Sequence, residues 1–243
     1  MPETRSALWL HDCSVIEDRH SLVGVDEAGR GSLAGPVMAA AVYCEKAFFE
    51  SREAASEAVA INDSKQVKPE DREQMAVIIL GWRDAGLIRA FWAAGSVDEI
   101  AEHNILGATR LAMKRSLEGL DITLPGMDVD LPLFQDEQNS NPDILVDGRP
   151  LKPFPYKHTG LVKGDGKSFC IAAASILAKV HRDRLMAELC QKYPQYGFSR
   201  HKGYATNQHC NAIREVGPCP EHRELFLRKI VGESEKAEVR RNR

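Results

Sequence analysis

The chain has 243 residues, of which 43% are hydrophobic and 28% charged, and its formal net charge is −3. This fits a globular protein of one large domain, or one domain with a small appendage, long enough to bury a sizeable core. It excludes a membrane-spanning chain, since no apolar run reaches spanning length, and a broadly basic nucleic-acid binder, so any such binding must come from a local patch.

Met1 to His20 carries scattered charges and no hydrophobic signal segment, so a cytoplasmic location is expected. Leu22-Val23-Gly24-Val25 reads as a short buried strand. It ends on Asp26-Glu27 and breaks into the glycine-rich turn Ala28-Gly29-Arg30-Gly31. Successive strand residues face opposite ways, so these two acids can share a metal only if the strand ends or twists there. Gly29 and Gly31 permit that, and Arg30 can fork onto a phosphate. After Gly35-Pro36, the run Val37 to Tyr43 reads as a second strand, paired with the first as an antiparallel hairpin.

Phe49 to Ala60 is helical or a loose excursion. Capping chemistry around Asn62-Asp63-Ser64-Lys65 and Pro69 starts a helix that runs to about Ala85. A strand over Leu87 to Ala93 leads into Ser96-Val97-Asp98-Glu99, a capping box. From Asn104 the spacing of Leu106, Met113, Leu117 and Leu120 predicts a helix with one apolar face. Asp121 to Asn141 is acidic and broken by prolines, and reads as a solvated loop or insertion.

Two more strands are expected to end in acids: Ile144-Leu145-Val146-Asp147, and Leu161-Val162 running on to Asp165. Ser168 to Leu189 reads as a helix with Ala172-Ala173-Ala174 on a close-packed face. Helix candidates follow over Thr206 to Val216 and His222 to Ile230, before a charged tail that reads as disordered. The six cysteines are widely spaced without a C-x-x-C pair, which argues for reduced thiols and against a zinc site.

Taken singly, each acid also has an ordinary reading as a strand-end charge or a turn residue. Together, four carboxylates at strand ends would repel one another and protonate unless divalent cations relieve them, and hard oxygen ligands suit Mg²⁺ or Mn²⁺. Two such ions can clamp the attacking water and the leaving oxygen of a phosphodiester. Arg30, Lys65, Lys163, Lys167 and Lys179 are cations that could hold phosphates. Strand-end acids alone leave open an exonuclease of the same fold class, a non-catalytic hybrid-binding module, or a structural protein.

The ordered set Asp26-Glu27-Ala28-Gly29-Arg30-Gly31, Asn62-Asp63-Ser64-Lys65, Val146-Asp147-Gly148, Lys163-Gly164-Asp165, Ile171 to Asp183, Tyr196-Gly197-Phe198 and His201-Lys202-Gly203-Tyr204 resembles the type 2 ribonucleases H, the ribonuclease HII family. The resemblance implies an α/β fold: a ribonuclease H-like mixed five-stranded sheet flanked by helices, with a C-terminal helical extension. The expected divisions are a catalytic domain over 20–190, a helical substrate-contacting part over 191–232 and a tail over 233–243. The implied activity is endonucleolytic hydrolysis of RNA in RNA–DNA hybrids and incision 5′ of ribonucleotides embedded in duplex DNA, leaving 3′-hydroxyl and 5′-phosphate ends. That places the chain in replication and ribonucleotide excision repair. By the same resemblance Asp26, Glu27, Asp147 and Asp165 hold two Mg²⁺ or Mn²⁺ ions. Gly29, Arg30 and Gly31 recognise the 2′-hydroxyl and a neighbouring phosphate, Lys65 contacts a phosphate, and Tyr204 packs on the sugar beside the cut. A monomer is expected, with the charged tail as a docking segment for a replication partner and no membrane association.

Overall fold

A computed structural model describes residues 5–17, 19–61, 68–124 and 141–228. The order of elements is α1 (Ala7–Val15), β1 (Ser21–Ala28), β2 (Val37–Glu45), α2 (Lys46–Glu50), α3 (Arg52–Glu57), α4 (Pro69–Asp84), β3 (Ile88–Gly95), α5 (Val97–Glu118), β4 (Asp143–Asp147), β5 (Thr159–Leu161), α6 (Phe169–Lys192), α7 (Phe198–His201) and α8 (Asn207–Val216). The five strands form one mixed sheet in the order β3-β2-β1-β4-β5. The first three are antiparallel neighbours, whereas β4 pairs parallel to β1 and β5 parallel to β4. No described helix is long and apolar enough to cross a membrane.

Strand alternation divides the core between the two sheet faces. Leu22, Ala40, Val42 and Leu145 join the α6 residues Phe169 to Val180, together with Trp9, Phe48 and Trp82. Val23, Val25, Ala39, Ala41 and Val146 pack instead with Met113 and Leu117 of α5. The α6 side permits an unusually close approach. A Cβ built on Gly24 would lie 2.1 Å from the Cys170 carbonyl carbon, so β1 and α6 meet backbone to backbone there. Buried Ala172, Ala173 and Ala174 keep the rest of that contact narrow.

The N-terminal helix was not legible in the sequence. α1 has no amphipathic pattern, yet Trp9 is buried against Phe48, Phe49 and Phe169. Buried Asp12 explains its anchorage. One carboxylate oxygen accepts the Ser168 hydroxyl at 3.0 Å and the Cys170 N–H at 2.8 Å, capping the start of α6, and the other meets His11 Nδ1 at 2.8 Å.

Other expectations need correction. The α5 helix begins at Val97, under the expected capping box, and breaks at Asn104, where φ is 58° and ψ 174°. The Asn104 side chain then caps the second segment by accepting from the N–H groups of Leu106 and Gly107. Met113 and Leu117 are buried as expected, but Leu106, in the first turn after the break, is 52% exposed at the open cleft it lines with Met113. Phe49 to Ala60 is helical in short pieces, all six cysteines are free thiols, and residues 224–228 are helical. Asn62 to Val67, with Lys65, most of the 121–141 insertion and the tail lie outside the described residues.

Replacing Asp12 by alanine should strip a buried cap from α6 and leave Ser168 and Cys170 donors unpaired. We expect a loss of about 2 kcal/mol in unfolding free energy, read as a lower urea midpoint at unchanged slope.

Candidate active site

The parallel pairing of β1 and β4 runs through Val25 opposite Val146, so the next residues, Asp26 and Asp147, stand side by side at the carboxyl ends of their strands. By alternation both point to the α6 face. Contrary to expectation, β1 does not end on its two acids: it continues to Ala28, and Glu27 pairs with Ala39 of β2. Glu27 therefore points to the α5 face, into a cleft of about 370 Å³ shared with Arg30, Thr109, Met113 and Arg149, and Asp147, as the last residue of β4, borders the same cleft where it opens at the strand end.

Asp165 also differs from expectation. The strand before it stops at Leu161, and Asp165 sits on a single 3₁₀ turn, Gly164–Gly166, that leads into α6. The turn is tied to β4 by the Gly164 N–H, which donates to Asp147 Oδ1 at 2.6 Å. A Cβ on Gly164 would lie 2.6 Å from the Ile171 Cδ1 methyl and 3.3 Å from Asp147 Oδ1, so the turn packs tightly on both. Asp165 is 3% exposed.

Asp26 is buried, accepts the Glu27 N–H at 2.7 Å and is bonded by Ser175 of α6. Burial pushes its carboxyl well above the usual carboxylate range, and the adjacent charges of Glu27 and Asp147 push it further. Among the described residues, no group of three or more His, Cys, Asp or Glu side chains is arranged to hold a metal ion. The donor chemistry nevertheless fits one. The acids offer only hard oxygens, and the like-charge repulsion that penalises ionised Asp26 becomes attraction once a divalent cation lies among them.

The glycine turn is held from behind. Ser32 Oγ donates to the Gly29 carbonyl at 2.8 Å, and Arg223 Nη1 donates to the Arg30 carbonyl at 3.0 Å. A trans peptide directs its C=O and N–H oppositely, so the N–H groups of Arg30 and Gly31 face away from this buried support. Gly29 has φ of +91°, and a Cβ there would fall 1.9 Å from Arg182 Nε; a Cβ on Gly31 meets nothing within 4 Å. Gly29 is thus required by the fold, whereas Gly31 is not. Arg30 Nη1 is engaged with Glu27 Oε1 at 2.9 Å rather than standing free.

Tyr204 is 38% exposed, with the Arg182 guanidinium 5.5 Å from its ring centroid. Its carbonyl accepts from His209 Nδ1 at 3.0 Å, and His209 Nε2 meets His222 Nε2 at 3.0 Å. Because His222 Nδ1 accepts the Cys219 N–H, His222 must carry its proton on Nε2, and His209 then donates through Nδ1, leaving both rings neutral. Arg182, Arg223 and this histidine pair were not singled out from the sequence. Arg182 lies inside the Ile171 to Asp183 motif, but Arg223 and His222 carry no local signal.

Comparison with known proteins agrees with this geometry. Residues 23–229 match the family described as Ribonuclease HII. The chain is 46% identical over 205 residues to a Ribonuclease HII from Thermotoga petrophila, covering 84% of this chain and 72% of that one. Its fold matches the ribonuclease H2 of Pyrococcus horikoshii OT3, with a TM-score of 0.62 at 23% identity over 89% of this chain and 99% of the other. It also matches Bst-RNase HIII in complex with Mn²⁺, with a TM-score of 0.54 at 19% identity over 85% and 64% of the two chains. The chain belongs to the ribonuclease HII family, and is therefore a ribonuclease H, a nuclease acting on the RNA of RNA–DNA hybrids.

Burial holds His209 down to about 4, and His222 is also lowered. An unfolded histidine titrates near 6.5, so the stability this pair contributes is complete above that pH and is lost as pH falls toward 4. Raised Asp26 acts in the opposite direction. We therefore expect His209→Gln to flatten the fall in urea midpoint between pH 7 and pH 4 relative to the unsubstituted chain.

Proposed function

We propose that this ribonuclease H incises duplex DNA on the 5′ side of a single embedded ribonucleotide, as well as cutting longer hybrids, and leaves 3′-hydroxyl and 5′-phosphate ends. The observation that carries the reading is the placement of Asp26 and Asp147 side by side at the ends of β1 and β4, next to a glycine turn whose carbonyls are pinned inward. Such a turn offers backbone donors to a ligand that comes close, and the 2′-hydroxyl is the only group separating one ribonucleotide from its deoxy neighbours.

In this reading Asp26, Glu27, Asp147 and Asp165 hold a pair of Mg²⁺ or Mn²⁺ ions. The Mn²⁺ complex of the fold neighbour Bst-RNase HIII supports that assignment. When bound, the two ions would supply an activated water and charge stabilisation at the leaving 3′-oxygen. The protein's own groups position the substrate. Gly31 leaves room for the sugar and the Arg30 and Gly31 amides meet the 2′-hydroxyl. Arg30 exchanges its contact with Glu27 for a phosphate, and exposed Tyr204 packs on the sugar beside the cut. Lys65 would add a phosphate contact, and the charged tail would dock a replication partner. The assignment of 20–190 to catalysis and 191–232 to substrate contact, a monomeric state and a role in ribonucleotide excision repair complete the proposal.

The decisive assay uses end-labelled duplex DNA with one ribonucleotide, in Mg²⁺ and in Mn²⁺. The unsubstituted chain should cut on the 5′ side, and Asp26→Asn should lose roughly 10²–10³-fold in rate, the scale of removing one preorganised charged group. Because ionised Asp26 is buried beside like charges, the same substitution should raise the melting temperature in chelator. It should also abolish the further rise that Mg²⁺ gives the unsubstituted chain. No cut by folded protein with either ion would remove the incision reading.

A second expectation follows from the open space at Gly31. Gly31→Val should keep the melting temperature yet slow incision at the single ribonucleotide by roughly 100-fold. Full activity in that variant would remove the turn from ribose recognition.

A further inference from the structure

Arg182 is fully buried on α6, yet among the described residues its hydrogen-bond acceptors are neutral. Its Nε donates to the Pro36 carbonyl at 3.0 Å and its Nη1 to the Lys202 carbonyl at 2.9 Å. Its Nη2 donates to Ser32 Oγ at 2.7 Å and to the Ala34 carbonyl at 3.1 Å. The guanidinium plane also lies over the Tyr204 ring. A buried cation held by neutral acceptors is costly unless its donors are nearly all met, and here they are.

What those acceptors have in common is their position. Pro36, Ala34 and Ser32 belong to the segment that follows the glycine turn, whereas Lys202 and Tyr204 belong to the segment after α7. The two segments also touch directly, since the Leu33 N–H donates to the Gly203 carbonyl at 2.8 Å. Ser32 passes the tether on: its hydroxyl receives from Arg182 and donates to Gly29. The missing side chain of Gly29 is the space that Arg182 Nε occupies.

We propose that Arg182 is a positioning residue for ribose selectivity: it fixes the spacing between the Arg30–Gly31 amides and the Tyr204 ring, so that both reach one nucleotide at once. The inference rests on the reading of those groups given above. Arg182 acts through them and touches neither the acids nor the substrate. Its planar fork is the useful property. Lysine would keep the charge, but a flexible point donor cannot bridge four acceptors from two segments.

The test measures binding, so that turnover does not enter. Fluorescence anisotropy would compare two duplexes of one sequence, all-deoxy or with a single ribonucleotide, in the full chain carrying Asp26→Asn to prevent cutting. The readout is the ratio of the two dissociation constants. Adding Arg182→Lys should bring that ratio to within about twofold of unity, with all-deoxy affinity changed by less than about twofold. Ser32→Ala, which removes one of the Arg182 acceptors and with it the relay to Gly29 but leaves the other three Arg182 bonds, should lower the ratio in the same direction. Adding Tyr204→Ala should make Arg182→Lys nearly silent, because the spacing then has no second partner. Equal weakening on both duplexes, or an unchanged ratio in folded Arg182→Lys and Ser32→Ala, would overturn the inference while leaving the incision reading intact. If Arg182→Lys does not fold, Ser32→Ala decides alone: a lowered ratio supports the tether and an unchanged one removes it. No preference in the starting chain would instead refute ribose recognition by the turn itself.

Discussion

Everything in this fold hangs on the near contact of two backbones, β1 against α6 at Gly24. A strand and a helix normally stand apart by the thickness of their side chains. Here the strand contributes glycine and the helix a run of alanines, so the central helix lies almost on the central strand. The consequence is positional. Ser175 reaches Asp26, and the turn before α6 reaches Asp147 through one amide. Asp12, from a helix the sequence barely announces, locks the start of α6 into that place by capping it.

Around this contact the charges are sorted by depth and sign. The acids crowd the ends of β1 and β4, where desolvation and mutual repulsion hold Asp26 towards its protonated form. The deepest cations, Arg182 and Arg223, do not neutralise them. They are spent on carbonyl groups behind the glycine turn, and burial lowers both, Arg223 to about 9. The negative centre is thus left able to take positive charge from outside, and the glycine turn and the segment after it are held by buried arginines.

Much of this was legible in the chain, and the rest was hidden for physical reasons. Strands β1, β2 and β4, the capping box before α5 and the extent of α6 follow from alternation, capping residues and apolar runs. The candidate acids stood out because each sits beside glycine or at the close of an apolar run. Their exact placement was not, because strand pairing is a tertiary fact: β2 carries β1 past Glu27, and β5 stops four residues short of Asp165. Leu106 keeps the face it shares with Met113 but stands over an open cleft, and periodicity assigns a face without saying whether anything covers it. Arg182 and Arg223 were missed because an arginine that bonds to carbonyls distant in sequence has no local signature.

The reach of those two arginines sets an order on how the molecule matures. Chain synthesis releases all four acids by residue 165 and the helix that supports them by residue 192, but the Arg30 carbonyl finds its partner only when residue 223 emerges. The four candidate acids therefore lie upstream of a residue that supports the glycine turn. The glycine turn near the start of the chain thus has one of its two carbonyl tethers supplied from 193 residues downstream, so a chain cut short before residue 223 would lack that support.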